Sequence, residues 1–527
     1  MNLSIKFRPG IVITTLGLSA LACGQPPVLP PTTPTETEQP SATFVPGTPL
    51  PTHNPDQPLA TPTVAGDVSL HYQAMRAGFE SDVDGYADGL RYAVALELTT
   101  DPLQVSGTET IRYKNNGTSP LSDLVLRLYP NALTGQDSLQ ITAASIGGQS
   151  IEPQLDGRDT AARLALPQAV EPGNSVELDL TFTLSLPEDE YIGYGRLLNQ
   201  SDIIVLSSFV PMMSVYEEGD WWAEFPSVQG DPAYSESALW DVTLIAPTRL
   251  TVAASGSTVD TADMGDNRTY YHYVTGPMRD FSVALSPQFE LDQNSQDGIQ
   301  INVWSAPGES SMDSKSLDIT MHTLSIFDST FGTYPFAEFD MVESPMRGAG
   351  GIEYPGLVYI DSEEWSSDIS GDILEITQVH ETAHQWWYSL VGNNQVSQPW
   401  VDESLAQYSV EVYLRERYGE RAAESIRNWY QETVQSYESS RGETMPVGLP
   451  VDQYDGEQYG VFVYSRGPLL YSQYEDDYGV AAVYKLLSDY FDHYHYRIAH
   501  SSDLEQIVTT ELGEDAHATF EDVVYGK

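Results

Sequence analysis

The feature that most constrains this chain is His380-Glu381-Thr382-Ala383-His384, an HExxH pattern set in an apolar periodic stretch. Ile373, Ile376, Val379, Ala383 and Trp387 recur at three- and four-residue spacing, which predicts a helix; Ser370 or Asp372 could cap its start. Residues four apart share one helix face, about 6 Å apart along the axis. Two imidazoles can therefore converge on one metal ion, with Glu381 beside them to take a proton from water. Taken alone, the pattern also fits a surface helix with two solvated histidines.

The downstream sequence decides against that alternative. Eighteen residues separate His384 from Glu403, which lies just after Pro399 and Trp400 at the start of a second predicted helix. Val401, Leu405, Tyr408 and Val412 form its apolar stripe, and Gly419 supplies a stop. A carboxylate one turn into that helix completes two histidines plus a glutamate, the donor set of a catalytic zinc with one position left open.

With these residues in view, the chain resembles a family. HETAHQWW (380–387) followed by PWVDESLAQY (399–408) is similar to the zinc aminopeptidases typified by aminopeptidase N and the leukotriene epoxide hydrolase, the gluzincins of HExxH-x18-E pattern. Upstream, Gly350-Gly351-Ile352-Glu353-Tyr354-Pro355-Gly356 resembles the family's glycine-rich strand with its glutamate. Downstream, Tyr459 and Tyr464-Ser465-Arg466-Gly467 resemble its paired tyrosines. The likeness runs from about Leu90 to the C-terminus. Asp402 and Ser404 stand where relatives often carry Asn and Gly, and Arg466 replaces the usual Lys.

The resemblance implies a thermolysin-like catalytic domain in which His380, His384 and Glu403 hold one zinc ion and Glu381 is the general base. It implies that Tyr464 stabilises the oxyanion, and that Gly350, Gly351 and Glu353 line an extended peptide, Glu353 pairing with its free α-ammonium. Tyr459 is a weaker candidate that also fits a core position. The family often adds an N-domain glutamine or glutamate at the amine; no motif assigns it here. The substrates expected are peptides with a free N-terminus. The alternatives are an endopeptidase, an epoxide hydrolase, or a surface binding protein whose zinc site is a relic. Relics tend to lose the base or a ligand, whereas every matching position is filled here.

The N-terminal end speaks to location. Lys6 and Arg8 precede an apolar run over residues 11–21, too short to span a bilayer well, and Ser19-Ala20-Leu21-Ala22-Cys23 resembles a bacterial lipobox with Ala20 where Leu is commoner. Cys23 is the only cysteine, which excludes internal disulfides and a thiol centre. Residues 1–23 are therefore expected to be a lipoprotein-type signal with Cys23 lipidated, the alternative being ordinary cleavage and secretion. Residues 24–66, rich in Pro and Thr, are expected to be a disordered tether. The body would then face outside the cytoplasm at a bacterial cell envelope, touching membrane through the lipid anchor alone. A net charge of −52, from 76 acidic against 24 basic residues, disfavours nucleic acid as a partner. Oligomeric state is not legible.

The rest predicts an α+β multidomain chain. Alternating strands over 92–98, 107–113, 124–129, 175–182, 238–245 and 270–274, continuing to about Val303, read as an N-terminal antiparallel β-sandwich-like domain at 67–308. Residues 278–281 resemble the segment that closes such a domain in the family. The aromatic stretch 209–222 fits a core-facing loop or a cleft wall. Residues 81–88 have the wrong spacing for a calcium loop and read as an acidic turn. Residues 309–527 read as a mainly helical zinc catalytic domain, with an amphipathic helix at 317–331, a strand at 339–342 and an edge strand at 352–360. His493 and His495 do not share a helix face and are not expected to hold a second metal. Larger relatives carry a further helical-repeat domain, which is not expected here.

Overall fold

The computed structural model describes residues 64 and 66–527, apart from 157, 187–190, 226, 228 and 366–370. The expected signal, Cys23 and nearly all of the tether lie outside the described residues. So does Ser370, and the Asp372 side chain is likewise not described.

The N-terminal half is built on an eight-stranded sheet whose centre is Arg91–Thr100, Leu103–Lys114 and Ser175–Ser185. Along Leu103–Lys114 every second residue is buried, so one face meets the core and the other meets solvent. Gly107 is on the buried face because a Cβ there would lie 2.3 Å from the Phe182 ring. Pairing is antiparallel except that Arg91–Thr100 runs parallel to Leu239–Pro247, so this domain's main sheet is mixed. Among the described residues, two smaller sheets of four and five strands and a two-stranded ribbon, Tyr216–Glu217 with Asp220–Trp221, complete the β-rich half. The aromatic segment 209–222 belongs to its core: Phe209, Val210, Met212, Met213 and Trp221 are buried.

The strands Glu290–Gln296 and Ile299–Ser305 were expected in the N-terminal domain. They are instead hydrogen-bonded into the sheet of the C-terminal half, Ile299–Ser305 lying parallel to Glu338–Ser344. Helix α1, Ser310–Thr330, makes the crossover between those two parallel strands, the connection parallel neighbours require. Strand patterning alone cannot say which sheet a strand joins, so sheet membership puts the division near residue 287 rather than 308. The expected single edge strand at 352–360 is a hairpin of Gly351–Tyr354 and Leu357–Asp361. Gly356, at φ +73°, makes the turn after Pro355. The first arm is the sheet's edge.

Helices then follow: α2 at Gly371–Ala383, α3 at Trp400–Tyr418, α4 at Glu420–Arg441, α5 at Gly456–Val461, α6 at Gly467–Tyr478, α7 at Val480–Tyr494, α8 at Ser501–Leu512 and α9 at Glu514–Phe520. Gly419 and Gly479 end α3 and α6 with φ near +90°, Gly419 being the stop the sequence predicts. Among the described residues no helix is long and apolar enough to cross a membrane. Residues 278–281 join the halves: Arg279, buried, donates from Nε to Tyr388 O at 2.9 Å and from Nη1 to Ser235 O at 2.8 Å.

Candidate metal centre and cleft

Helix α2 ends at Ala383, so His384 sits on its frayed last turn rather than within a longer helix reaching Trp387. The one-turn spacing survives: His384 N donates to His380 O at 3.3 Å. The two Nε2 atoms are 3.1 Å apart, and Glu403 Oε2 from α3 stands 3.3 Å from that of His380 and 3.4 Å from that of His384. His384 Nδ1 lies 2.9 Å from Trp387 O and donates to it, which leaves Nε2 with a free lone pair. Glu403 Oε2 is buried with no hydrogen-bond partner. Three lone-pair donors, two nitrogens and one oxygen, face one point, and this set fits zinc.

The neighbouring carboxyl groups come from separate segments. Glu381 follows His380 on α2, and Glu353 lies on the edge strand, its ligand atoms within 4.8 Å of those of Glu381 and His384. Gly351 is explained here, because a Cβ would stand 2.4 Å from Glu381 Cγ. Gln385 clamps the hairpin to the end of α2: its Nε2 donates to Tyr354 O at 3.0 Å and its Oε1 accepts from Gly356 N at 2.8 Å. Gly350 and Gly351 line the cleft beside Glu353.

Tyr464 lies in a π-helical turn, Phe462–Arg466, between α5 and α6, a distortion frequent at functional sites. Its hydroxyl donates to Glu403 Oε1 at 2.5 Å. Tyr459 is buried against Tyr464, ring centroids 5.5 Å apart, and also lines the cleft, so it is wall as well as core. Ser404 Oγ donates to Val463 O at 2.8 Å and packs where Gly467 leaves room, a Cβ there meeting Oγ at 1.9 Å. Arg466 points at Thr444, away from the metal ligands.

Electrostatics follow from burial and crowding of like charge. Burial, then the Glu353 charge, pushes the Glu381 carboxyl well above the usual range. Burial, then Glu403, lifts Asp402 to about 7. Burial opposes charge on Glu403 as well, but the His380 and His384 imidazoles facing it outweigh that and hold the carboxylate below its ordinary value. Burial lowers His380; on His384 the charges of Glu353 and Glu403 overcome burial and raise it. Burial and Glu403 raise Tyr464, which stays a proton donor.

The cleft has walls that sequence reasoning did not find. Tyr194, Arg196, Gln229, Gly230 and Asp231 reach it from the β-rich half, and Gln407 and Trp429 from α3 and α4. Only Gly230 leaves a local trace: it has φ +67°, and a Cβ there would crowd Tyr459 Oη at 2.9 Å. His493 and His495 turn Nδ1 to carbonyls of their own helix, away from this centre.

Comparison with known proteins bears on the family. Residues 315–523 match the peptidase family M1 domain. Over that segment the chain is similar to M1 peptidases. Aminopeptidase 2 of Candida albicans is 24% identical over 440 residues, covering 81% of this chain and 46% of that relative. Aminopeptidase M1-B of Oryza sativa subsp. japonica is 24% identical over 299 residues, covering 54% of this chain and 33% of that relative. The chain thus spans less than half the length of these relatives. In fold it is similar to the M1 zinc metallopeptidase from Deinococcus radiodurans, with TM-score 0.60, 19% identity and coverage of 83% of this chain and 94% of that one. A mutant of that enzyme bound to a Tyr-Ser-Ala substrate gives TM-score 0.61 at 18% identity, covering 83% and 95%. The M1 domain begins on α1 and contains every candidate zinc ligand, the Glu353 strand and both tyrosines.

Proposed function

We propose that this chain is a zinc-dependent aminopeptidase removing N-terminal residues from peptides. The observation that carries the reading is Glu353, 6% exposed, on the edge strand beside Glu381 and His384. A buried carboxylate crowded by other carboxylates is costly unless a cation joins it, and a substrate ammonium is such a cation. The names of the M1 relatives support the same reading.

Zinc held by His380, His384 and Glu403 supplies Lewis acidity. Glu381 takes the proton of the attacking water and returns it to the leaving amine, a task suited to a carboxyl whose proton affinity is raised. Tyr464 turns its hydroxyl from Glu403 toward the developing oxyanion. The edge strand receives the peptide backbone by strand addition, and Glu353 fixes the register so that one residue is removed.

The test compares Glu353→Ala with the parent on free and N-acetylated forms of the same peptides, with zinc content measured in both. The ammonium contact contributes about 1.5–3 kcal/mol, so free-amine substrates should slow roughly ten- to a hundredfold while acetylated ones barely change. An equal fractional loss on both would leave Glu353 a structural role and favour the endopeptidase reading.

The chain is further read as acting outside the cytoplasm, anchored by lipid on Cys23. Cys23→Ala should then release active protein from membranes. Retention of that variant after a high-salt wash would remove the reading.

A further inference from the structure

Gln395 lies between α2 and α3 and is 2% exposed. Its Nε2 donates to Glu353 Oε1 at 2.8 Å and to Asp402 Oδ2 at 2.8 Å. The other oxygen, Asp402 Oδ1, accepts from Asn393 Nδ2 at 2.8 Å. Four buried side chains therefore run in one order: the edge-strand glutamate, the Gln395 amide, the aspartate beside metal ligand Glu403, and the Asn393 amide. Amide NH₂ groups donate and carboxylates accept, so the order has a direction. Turning Gln395 over would set its oxygen against two carboxylates.

Asp402 suits this arrangement better than the asparagine that relatives often carry. Both its oxygens accept, one from each amide, whereas an asparagine would present a donor to one of them. The loop itself is held: Asn394 Oδ1 accepts from Val396 N at 3.1 Å and Ser397 N at 3.0 Å. Gln395 thus links the edge strand to the first turn of α3 through a single amide, leaving Glu353 Oε2 for a ligand.

We propose that Gln395 is a positioning residue for the substrate's amino terminus, holding Glu353 at a set distance from the metal centre. The inference rests on the aminopeptidase reading, with Glu353 as amine anchor. A displacement of about 1 Å in such an anchor can cost up to a hundredfold in rate. Gln395 touches neither substrate nor metal; it acts through Glu353.

The experiment uses the full chain, zinc-loaded, with Gln395→Met, Glu353→Ala and the double variant, on paired free and N-acetylated peptides. Gln395→Met keeps the volume and removes the donors. It should raise KM for free-amine peptides about tenfold, leave kcat within about twofold, and change neither zinc content nor acetylated-peptide cleavage. The double variant should be no worse than Glu353→Ala alone, because the two act as one unit. Equal losses on free and acetylated peptides, or additive losses in the double variant, would overturn the proposal. If Gln395→Met fails to fold, Asp402→Asn reads the same support, with a smaller KM rise confined to free-amine peptides; equal losses there overturn the proposal as well. The two readings separate cleanly. Free-amine preference untouched by Glu353→Ala brings down the aminopeptidase reading, and this proposal with it. Preference lost in Glu353→Ala but kept in Gln395→Met brings down the role of Gln395 alone.

Discussion

Helix α3 carries two groups of buried charge, centred on Glu403 and Glu411, eight residues or about 12 Å apart along the axis. They are built in opposite ways. Around Glu411 the charges balance: Arg415 bonds Glu411 at 2.9 Å and Glu475 at 2.6 Å, and Arg427 bonds both glutamates again. Ser472 Oγ donates to Glu411 Oε2 at 2.7 Å and Tyr408 Oη to Glu475 Oε1 at 2.5 Å. Around Glu403 four carboxyl groups, Glu353, Glu381, Asp402 and Glu403, share two histidines and, among the described residues, no arginine or lysine side chain that bonds them. One cluster is complete within the protein. The other has an anionic excess that a metal dication and a substrate ammonium would neutralise, so its design serves binding rather than stability.

Breaking the acidic centre should give the largest effect, and it should appear in chemistry. Glu381→Gln should retain zinc and lose at least about a hundred- to ten-thousandfold in kcat. Glu403→Ala should lose zinc, and its apo form should unfold more easily than the parent apo form at neutral pH, since a carboxylate that His380 and His384 hold below its ordinary value, and that Tyr464 bonds, is gone. Metal analysis beside turnover and thermal melts checks both, and full turnover by Glu381→Gln would remove the mechanism.

Breaking the balanced cluster should appear in stability instead. Arg415→Met leaves Glu411 and Glu475 short of a partner in a buried site, a loss of about 3–5 kcal/mol. Denaturant unfolding measures it. The fraction still folded should bind zinc and turn over substrate at close to the parental rate, and a selective loss of metal would show the two clusters to be coupled.

The smallest effect sharpens the contrast with a half-buried pair. His500 Nε2 at the start of α8 faces Glu217 Oε2 of the β-rich half at 3.4 Å. The hydrogen bond to Glu217 raises the His500 pKa, and the same bond lowers that of Glu217. The raised histidine contributes stability that is complete below its unfolded value and fades as pH rises through its folded one. The lowered glutamate contributes above its unfolded value and fades as pH falls through its folded one. The two overlap between roughly pH 4.5 and 6.5. His500→Gln should lower Tm by no more than about 2 °C, with most of the loss at about pH 5–6 and little above pH 8. A pH-independent loss would assign His500 to packing.

The zinc triad was legible because its spacing is local. HExxH puts two donors one helical turn apart, and Pro399-Trp400 sets Glu403 in the first turn of the next helix. Glu353, Gly351 and Tyr464 were reached by resemblance to a family rather than by any periodicity. The hairpin at 351–361 reads as one strand in sequence because Pro355-Gly356 sits between the apolar pairs of Ile352 and Tyr354 and of Leu357 and Val358, all of them strand formers. Tyr388, at φ +114° just beyond the metal helix, left no trace, since its carbonyl is held by Arg279 from 109 residues away.

By itself, then, the sequence determined whatever depends on neighbours along the chain: alternation in Leu103–Lys114, the capped span of α3, the one-turn histidine pair. Tertiary structure alone decided which remote groups meet. It moved Glu290–Ser305 into the sheet of the C-terminal half, set Tyr194, Arg196 and Gln229–Asp231 against the candidate metal cleft, and laid Gln395 between Glu353 and Asp402. Backbone periodicity fixes which way a side chain points from its own helix or strand. The partner it finds there depends on how whole layers pack, and that information is spread over the entire chain.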